Sequence, residues 1–371
     1  MGLAIVGRLL GDSGFRPGKL TLDGGRVAAV DFGDRFGAAD ADLFLPDHLI
    51  GPGLIDLQVN GAAGRDFTSD PDGLHAAAGF LPSTGVTSFL PTVVSAPFDQ
   101  LLLALGRLST TGEAKPVEAR ALGIHLEGPF LHPDFRRAHP AEALRSPSVG
   151  DVERLWRASR SGLRLLTLAP ELPGAAEMLQ FLLARGIVPS AGHSSATFEQ
   201  ASAAFDAGVR FATHIFNGQP PLHHRSPGLA AAALLHPGVV AGLIADGEHV
   251  HPAMCALVQR CRGWRGIALT TDGVAALGQP PGQYRLGGQI IESDGLAARQ
   301  AGTGDLAGGV VALNRMVGKM ASFCDVDVAD AWRMASTVPA ALLGESGLGR
   351  LRPGARADVT VASPNMEVRL T

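Results

Sequence analysis

The segment Ile187-Val188-Pro189-Ser190-Ala191-Gly192-His193 is mostly apolar and closes on a histidine. A helical pattern at 196–207 follows, and then a second run, 210–216, which carries His214 within Phe211-Ala212-Thr213-His214-Ile215-Phe216. Strand, helix and strand, with a histidine near the end of each strand, read as one β/α/β unit with its chemistry at one end. The pattern repeats outward in both directions. Further strand-like runs fall at 54–60, 86–94, 121–127, 163–169, 239–246 and 266–272, and helical patterns at 152–159, 175–184 and 252–262. Eight β/α units within about 250 residues predict an α/β fold, the (β/α)8 TIM barrel. A doubly wound open sheet is the rival, because periodicity alone does not distinguish closure from an open edge. The polar residues favour the barrel. Gln58 and Asn60, His125 and Glu127, His193, His214 and Asn217, Asp246 and Asp272 all sit at C-terminal strand ends, which a barrel gathers on one face.

The chain ends read differently. Short extended pieces at 3–6, 19–22 and 26–30 surround the hairpin signal Asp23-Gly24, and another at 357–362 follows Pro353-Gly354. Two terminal β segments around a long middle predict one small β domain built from both ends. The 371 residues are 46% hydrophobic and 18% charged, with net charge −4, which argues against disorder. This charge balance offers no footprint for nucleic acid or for an anionic membrane. Cys255, Cys261 and Cys324 form neither a CxxC pair nor a disulfide framework, as expected of a reducing, cytoplasmic setting. The first ten residues lack the features of a secretion signal. The most apolar stretch, 229–245, is broken by His236, Pro237 and Gly238, so no membrane span is expected.

His125 and Glu127 stand two apart on a strand and leave it on one face. Histidines at two successive strand ends plus a carboxylate from a third form a plausible N,N,O set for a divalent metal with an open position. Singly, each histidine is more often a hydrogen-bonded structural residue. Asp272, ending the last strand, could accept a proton from water and pass it to a leaving group; it could equally cap a helix at Val274-Ala275-Ala276. The loops Leu222-His223-His224-Arg225 and Asp246-Gly247-Glu248-His249-Val250-His251 could grip a phosphate or carboxylate, or could be solvated surface. Gly302-Thr303-Gly304-Asp305-Leu306-Ala307 matches a dinucleotide fingerprint formally, but no apolar strand precedes it and a glycine turn is expected.

At these residues the sequence resembles the N-acetylglucosamine-6-phosphate deacetylases of the amidohydrolase superfamily. The matching motifs run in order along the chain: Pro52-Gly53-Leu54-Ile55-Asp56-Leu57-Gln58-Val59-Asn60-Gly61, His125-Leu126-Glu127-Gly128-Pro129-Phe130, Ala191-Gly192-His193, Thr213-His214-Ile215-Phe216-Asn217, His223-His224-Arg225-Ser226-Pro227-Gly228, the Asp246–His251 loop and Thr271-Asp272-Gly273. The closing 350–358 segment looks like the family's return strand. The resemblance implies a metal-dependent barrel over 51–344 and a small β-sandwich made of 1–50 plus 345–371. It implies that Glu127, His193 and His214 hold one divalent ion, zinc first, with iron, manganese or cobalt as alternatives. Gln58 and Asn60 stand where two-metal relatives carry His-x-His, and neutral amides are poor ligands beside imidazole. By the same resemblance Asp272 is the general acid/base and His139 polarises the amide carbonyl. Gln58, Asn60, His139, Asn217, Gly218, Arg225 and His249 contact a phosphorylated amino sugar, and the phosphate site is shared across a homodimer. Hydrolysis of the acetamide to glucosamine 6-phosphate and acetate is the implied reaction; another N-acyl amine, or a non-catalytic sugar-phosphate sensor, are the alternatives. Five positions at three places depart from the family pattern: Arg137 where glycine is usual, and Gly218-Gln219 and Gly273-Val274 where Ala-Met is usual.

Overall fold

A computed structural model describes residues 2–109, 114, 115 and 117–371. Met1 and the remaining positions of the barrel range lie outside the described residues. Eight parallel strands occur where the sequence places them: β1 (Leu54–Val59), β2 (Val86–Val94), β3 (Ile124–Glu127), β4 (Leu163–Leu168), β5 (Val188–Ala191), β6 (Phe211–Ala212), β7 (Val240–Leu243) and β8 (Ile267–Leu269). Each pairs with its neighbour in chain order. The rival open sheet is excluded where the first and last strands meet. Val59 bridges Gly273 in parallel, and the amides of Asn60 and Gly61 both donate to the Gly273 carbonyl, at 2.7 and 3.0 Å.

Asp56 locks the same seam. Its buried carboxylate accepts from the hydroxyls of Thr270 (2.7 Å) and Thr271 (2.6 Å), the amide of Thr271, and the amide of Gln58 (3.2 Å). Burial nonetheless pushes its pKa up, so those donors compensate a charge taken out of water. Asp56→Ala leaves them without an acceptor in the interior, and we expect a loss of about 3 kcal/mol or more in unfolding free energy. A denaturant titration in which the midpoint does not move would show the seam holds without it.

Side chains alternate along each strand, so residues two apart share the barrel interior. Leu90, Leu165, Phe211 and Ala268 belong to one apolar cluster there. Two residues further on stand Thr92, Thr167, Thr213 and Thr270, all buried, a polar layer above the apolar one. The outer faces of the strands pack on helices that include Val149–Ala158, Ala175–Leu183, Phe198–Asp206 and Pro252–Arg262. The first of these starts three residues ahead of its sequence pattern, because the Ser148 side chain accepts from the Asp151 amide and caps it. In contrast, β6 is shorter than its apolar run. From Thr213 onward the backbone turns, with His214 and Phe216 at positive φ.

Both chain ends build one six-stranded sheet, which contains Leu3–Gly11, Gly14–Asp23, Arg26–Phe32, Leu43–Pro52, Val359–Ala362 and Val368–Leu370. The expected hairpin turns at Gly24-Gly25, both at positive φ as a two-residue turn requires. The sheet folds over a core of Ile5, Leu9, Leu20, Val27, Ile50 and Val361, and Arg26 bridges Arg356 across the fold. Trp332 ties this sheet to the barrel by donating its indole N–H to the Pro52 carbonyl at 2.9 Å.

One element has no counterpart in the sequence reading. Gly282–Leu286, Gln289–Ser293 and Ala298–Gln300 form an antiparallel sheet after β8. It is fixed by the Gly287 amide donating to Asp66 (3.0 Å) and by an apolar cluster in which Leu286, Ile291 and Ala307 meet Val94 and Val274. No helix of the described residues is long and apolar enough to cross a membrane.

Candidate active site

The C-terminal ends of the strands open into a cavity of about 350 Å³. Its wall includes Asn60, Glu127, His139, His193, His214, Asn217, Gly218, His249 and Asp272. The sheet at 282–300 and its following turn supply Leu286, Arg299 and residues 304–308, so the glycine-rich turn borders the cavity. Two of the expected substrate contacts lie elsewhere. Gln58 is fully buried behind Asp272, and Arg225 sits on an exposed loop with its guanidinium on His224 Nε2 at 2.9 Å. Neither belongs to the cavity wall of its own chain.

Three donor atoms converge at the cavity floor. Glu127 Oε1 lies 3.1 Å from His193 Nε2 and 2.9 Å from His214 Nε2, and the two imidazole nitrogens are 3.1 Å apart. His193 Nδ1 donates to the Phe135 carbonyl at 2.8 Å, which places the ring's remaining lone pair on Nε2. Burial opposes ionisation of Glu127, yet its bonds to His193 and His214 hold the carboxyl well below the usual range. Two imidazole nitrogens and an anionic oxygen crowded on one point suit a divalent cation, which would satisfy all three at once. The residues present fit a metal.

His139 is close to this group, with Nε2 3.9 Å from Glu127 Oε2, and could be counted with Glu127 and His193 as a ligand. Its tautomer argues otherwise. The Ser95 backbone N–H donates to His139 Nδ1 at 3.2 Å, so Nε2 carries the proton and is a donor. Burial, then the neighbouring His193, lowers its pKa to about 3, which keeps the ring neutral. A neutral, fixed N–H beside the ligand atoms can polarise a carbonyl without losing its proton. Arg136 holds the loop by donating to the His139 carbonyl at 2.8 Å, and Arg137 takes the left-handed φ of +50° that glycine adopts more readily.

Asp272 is buried, and its Oδ1 accepts from Gln58 Nε2 at 2.8 Å and Asn60 Nδ2 at 2.7 Å. The helix-cap alternative does not apply, since residues 274–277 form no helix. Burial and the charge of Glu127 raise its pKa to about 6. His249 donates from Nδ1 to Asp246 Oδ2 at 2.6 Å, and its Nε2 has no partner among the described residues. Ser95, Phe135 and Asp246 each orient a site histidine. Asp246 was legible as a polar strand end three residues before His249, whereas the Ser95 N–H and the Phe135 carbonyl are main-chain groups far along the chain from their histidines and leave no spacing signal. Gln58 and Asn60 were legible as polar residues at a strand end, but their shared partner Asp272 is 214 and 212 residues away.

Gly218 shows how tightly the ligands are held. At φ +62°, it would place a Cβ 2.7 Å from His193 Nδ1, on the atom that bonds Phe135. Gly218→Ala therefore displaces the ring, and we expect metal affinity to fall by about 10- to 100-fold, read by competition with a chelator. Unchanged affinity would mean that the ring tolerates the shift.

A model of the amidohydrolase family matches residues 49–371. The chain belongs to the amidohydrolase family. The N-acetylgalactosamine-6-phosphate deacetylase of Escherichia coli O157:H7 is 39% identical over 323 residues, covering 86% of this amidohydrolase and 85% of the relative. The N-acetylglucosamine-6-phosphate deacetylase of Vibrio furnissii is 36% identical over 356 residues, 95% and 88% of the two chains. A mutant N-acetyl-D-glucosamine-6-phosphate deacetylase from Mycobacterium smegmatis, solved in complex with N-acetyl-D-glucosamine-6-phosphate, superposes with a TM-score of 0.92 at 31% identity. That superposition covers 99% of this amidohydrolase and 96% of the other chain.

Proposed function

We propose that this amidohydrolase removes the acetyl group of N-acetylglucosamine 6-phosphate, yielding glucosamine 6-phosphate and acetate. The observation that carries the reading is the convergence of Glu127, His193 and His214 in one cavity with Asp272 and a neutral His139. Deacetylases of hexosamine 6-phosphates among the relatives supply the substrate class. Glu127, His193 and His214 would hold one divalent ion, which we assign as zinc; such an ion supplies hydroxide at neutral pH by lowering the pKa of water from ~15.7 towards ~7. Asp272 takes the proton of the attacking water and delivers it to the amine, which leaves poorly as an anion. Gln58 holds that carboxylate in place from behind the cavity, and Asn60, which bonds the same oxygen, also lines the cavity where the sugar binds. His139 Nε2–H stabilises the charge that develops on the acetyl oxygen.

Asn217, Gly218 and His249 are the sugar-phosphate contacts from within the chain. We assign Arg225 to the cavity of a second copy in a homodimer, a reading supported by its exposed loop position outside its own cavity. The free thiols of Cys255, Cys261 and Cys324 fit a cytoplasmic setting. Acetate release from the 6-phosphates of both the gluco and galacto N-acetyl sugars, and from their unphosphorylated forms, tests the assignment. We expect the gluco 6-phosphate to be preferred. Arg225→Ala should cost that substrate about 10-fold or more in kcat/KM and the unphosphorylated sugar little. Equal losses would remove Arg225 from phosphate binding, and preference for an unphosphorylated amide would overturn the substrate.

A further inference from the structure

The polar layer beneath the ligand atoms is a continuous file of hydrogen bonds. His125 Nε2 lies 2.8 Å from Thr167 Oγ1, Thr167 Oγ1 lies 2.7 Å from Thr213 Oγ1, and Thr213 Oγ1 bonds Ser190 Oγ. Ser190 Oγ also reaches the Phe211 carbonyl at 3.2 Å. All four side chains are fully buried. His125, Thr167 and Ser190 lie on β3, β4 and β5 and Thr213 directly follows β6, and three of these strands carry or lead into Glu127, His193 and His214.

Their placement relative to the ligands is close. His125 is two residues before Glu127 on β3, and Thr213 is the residue before His214. Thr167 is the register partner of Glu127 across the β3–β4 ladder. Ser190 lies three residues before His193. A Cβ built on Gly192, the residue before His193, would lie 2.9 Å from both Thr167 Cγ2 and Thr213 Cβ, so the two threonines pack on that backbone.

The main-chain ladder is short at this place. β5 and β6 pair at Ser190–Phe211 and Ala191–Ala212, and β6 and β7 at two positions as well, before the backbone turns away. Single main-chain bonds continue beyond the ladder, from the Thr213 N–H to the Ala191 carbonyl (3.0 Å) and from the Gly192 N–H to the Leu168 carbonyl (3.1 Å), and the side-chain file adds a second set of contacts across the same strands. Valine or leucine would fill the same volume, as in most barrel interiors. Buried hydroxyls cost stability unless each is hydrogen-bonded, and in return they impose fixed distances that apolar contacts do not.

We infer that the His125–Thr167–Thr213–Ser190 file is a clamp that sets the spacing of the three metal ligands, its members acting as positioning residues for the ion. The inference rests on the metal reading given above. Thr213→Val keeps the shape and removes the central hydroxyl, whereas Thr213→Ser keeps the hydroxyl. The metal-free proteins are titrated with cobalt(II) against a chromophoric chelator, with the cobalt absorption bands recorded and thermal unfolding followed in parallel. We expect Thr213→Val to bind cobalt at least about 10-fold more weakly with altered bands, and Thr213→Ser to stay within about threefold of wild type.

A file that merely stabilises the barrel would lower the unfolding temperature of Thr213→Val and leave affinity and bands alone; that result overturns the inference. So does an equal loss in Thr213→Ser. Should Thr213→Val not fold, Ser190→Ala, which cuts the file at its end, is held to the same affinity criterion. Failure of the wild-type protein to bind cobalt would instead overturn the metal reading itself.

Discussion

Asp272→Asn is expected to lower kcat/KM by about 1000-fold or more while the protein stays folded and keeps its metal. The geometry explains why the two effects separate. Asp272 Oδ1 accepts from Gln58 and Asn60, and the carbonyl oxygen of asparagine can accept both bonds in the same place. Only the capacity to take a proton is lost. The wild-type carboxylate must be ionised to act as base, so activity falls as pH drops through its pKa. Burial and the nearby Glu127 charge set that pKa at about 6, and a cation held by the ligands would pull it lower. The acidic limb of the wild-type pH profile should therefore be absent from the variant. A variant that turns over within tenfold of wild type, or that keeps the limb, would remove Asp272 from the proton transfer.

Glu127→Gln is expected to weaken metal binding by about 100-fold or more. The side chain keeps its size and loses its charge, and its amide cannot offer an anionic oxygen to the point where His193 and His214 meet. Glu127 is ionised under all working conditions, because the two histidines hold its pKa well below the ordinary value despite complete burial. Removing one partner of this buried group should also lower the stability of the metal-free protein, by about 3 kcal/mol, because His193 and His214 lose the charge they bond to. Affinity measured by chelator competition, beside an unfolding curve of the metal-free form, separates the two quantities. Affinity equal to wild type would exclude Glu127 as a ligand and leave His139 to be reconsidered with His193.

The barrel was legible because its signal is local. Each of the eight strands is an apolar run bounded by turns or helical patterns, and six of them end in a polar residue that a buried strand would otherwise avoid. Glu127, His193, His214 and Asp272 were legible for the same reason, as polar groups at the ends of apolar strands. The three-stranded sheet at 282–300 was not, since its strands are short, largely exposed and without a long apolar run. It nonetheless forms one wall of the cavity.

The sequence by itself determined the order of β and α elements, the pairing of both chain ends in one β unit, and the residue types available for chemistry. Closure was decided only in three dimensions, at the Val59–Gly273 bridge and the Asp56 seam, because those pairs are more than 200 residues apart and leave no periodic trace. The tertiary structure also decided what each site residue touches. Gln58 turned from a substrate contact into a support for Asp272, Arg225 fell outside its own cavity, and Ser95 fixed the proton of His139. A side chain's protonation and partners depend on distances of about 3 Å, and such distances between remote positions are a property of the folded chain alone.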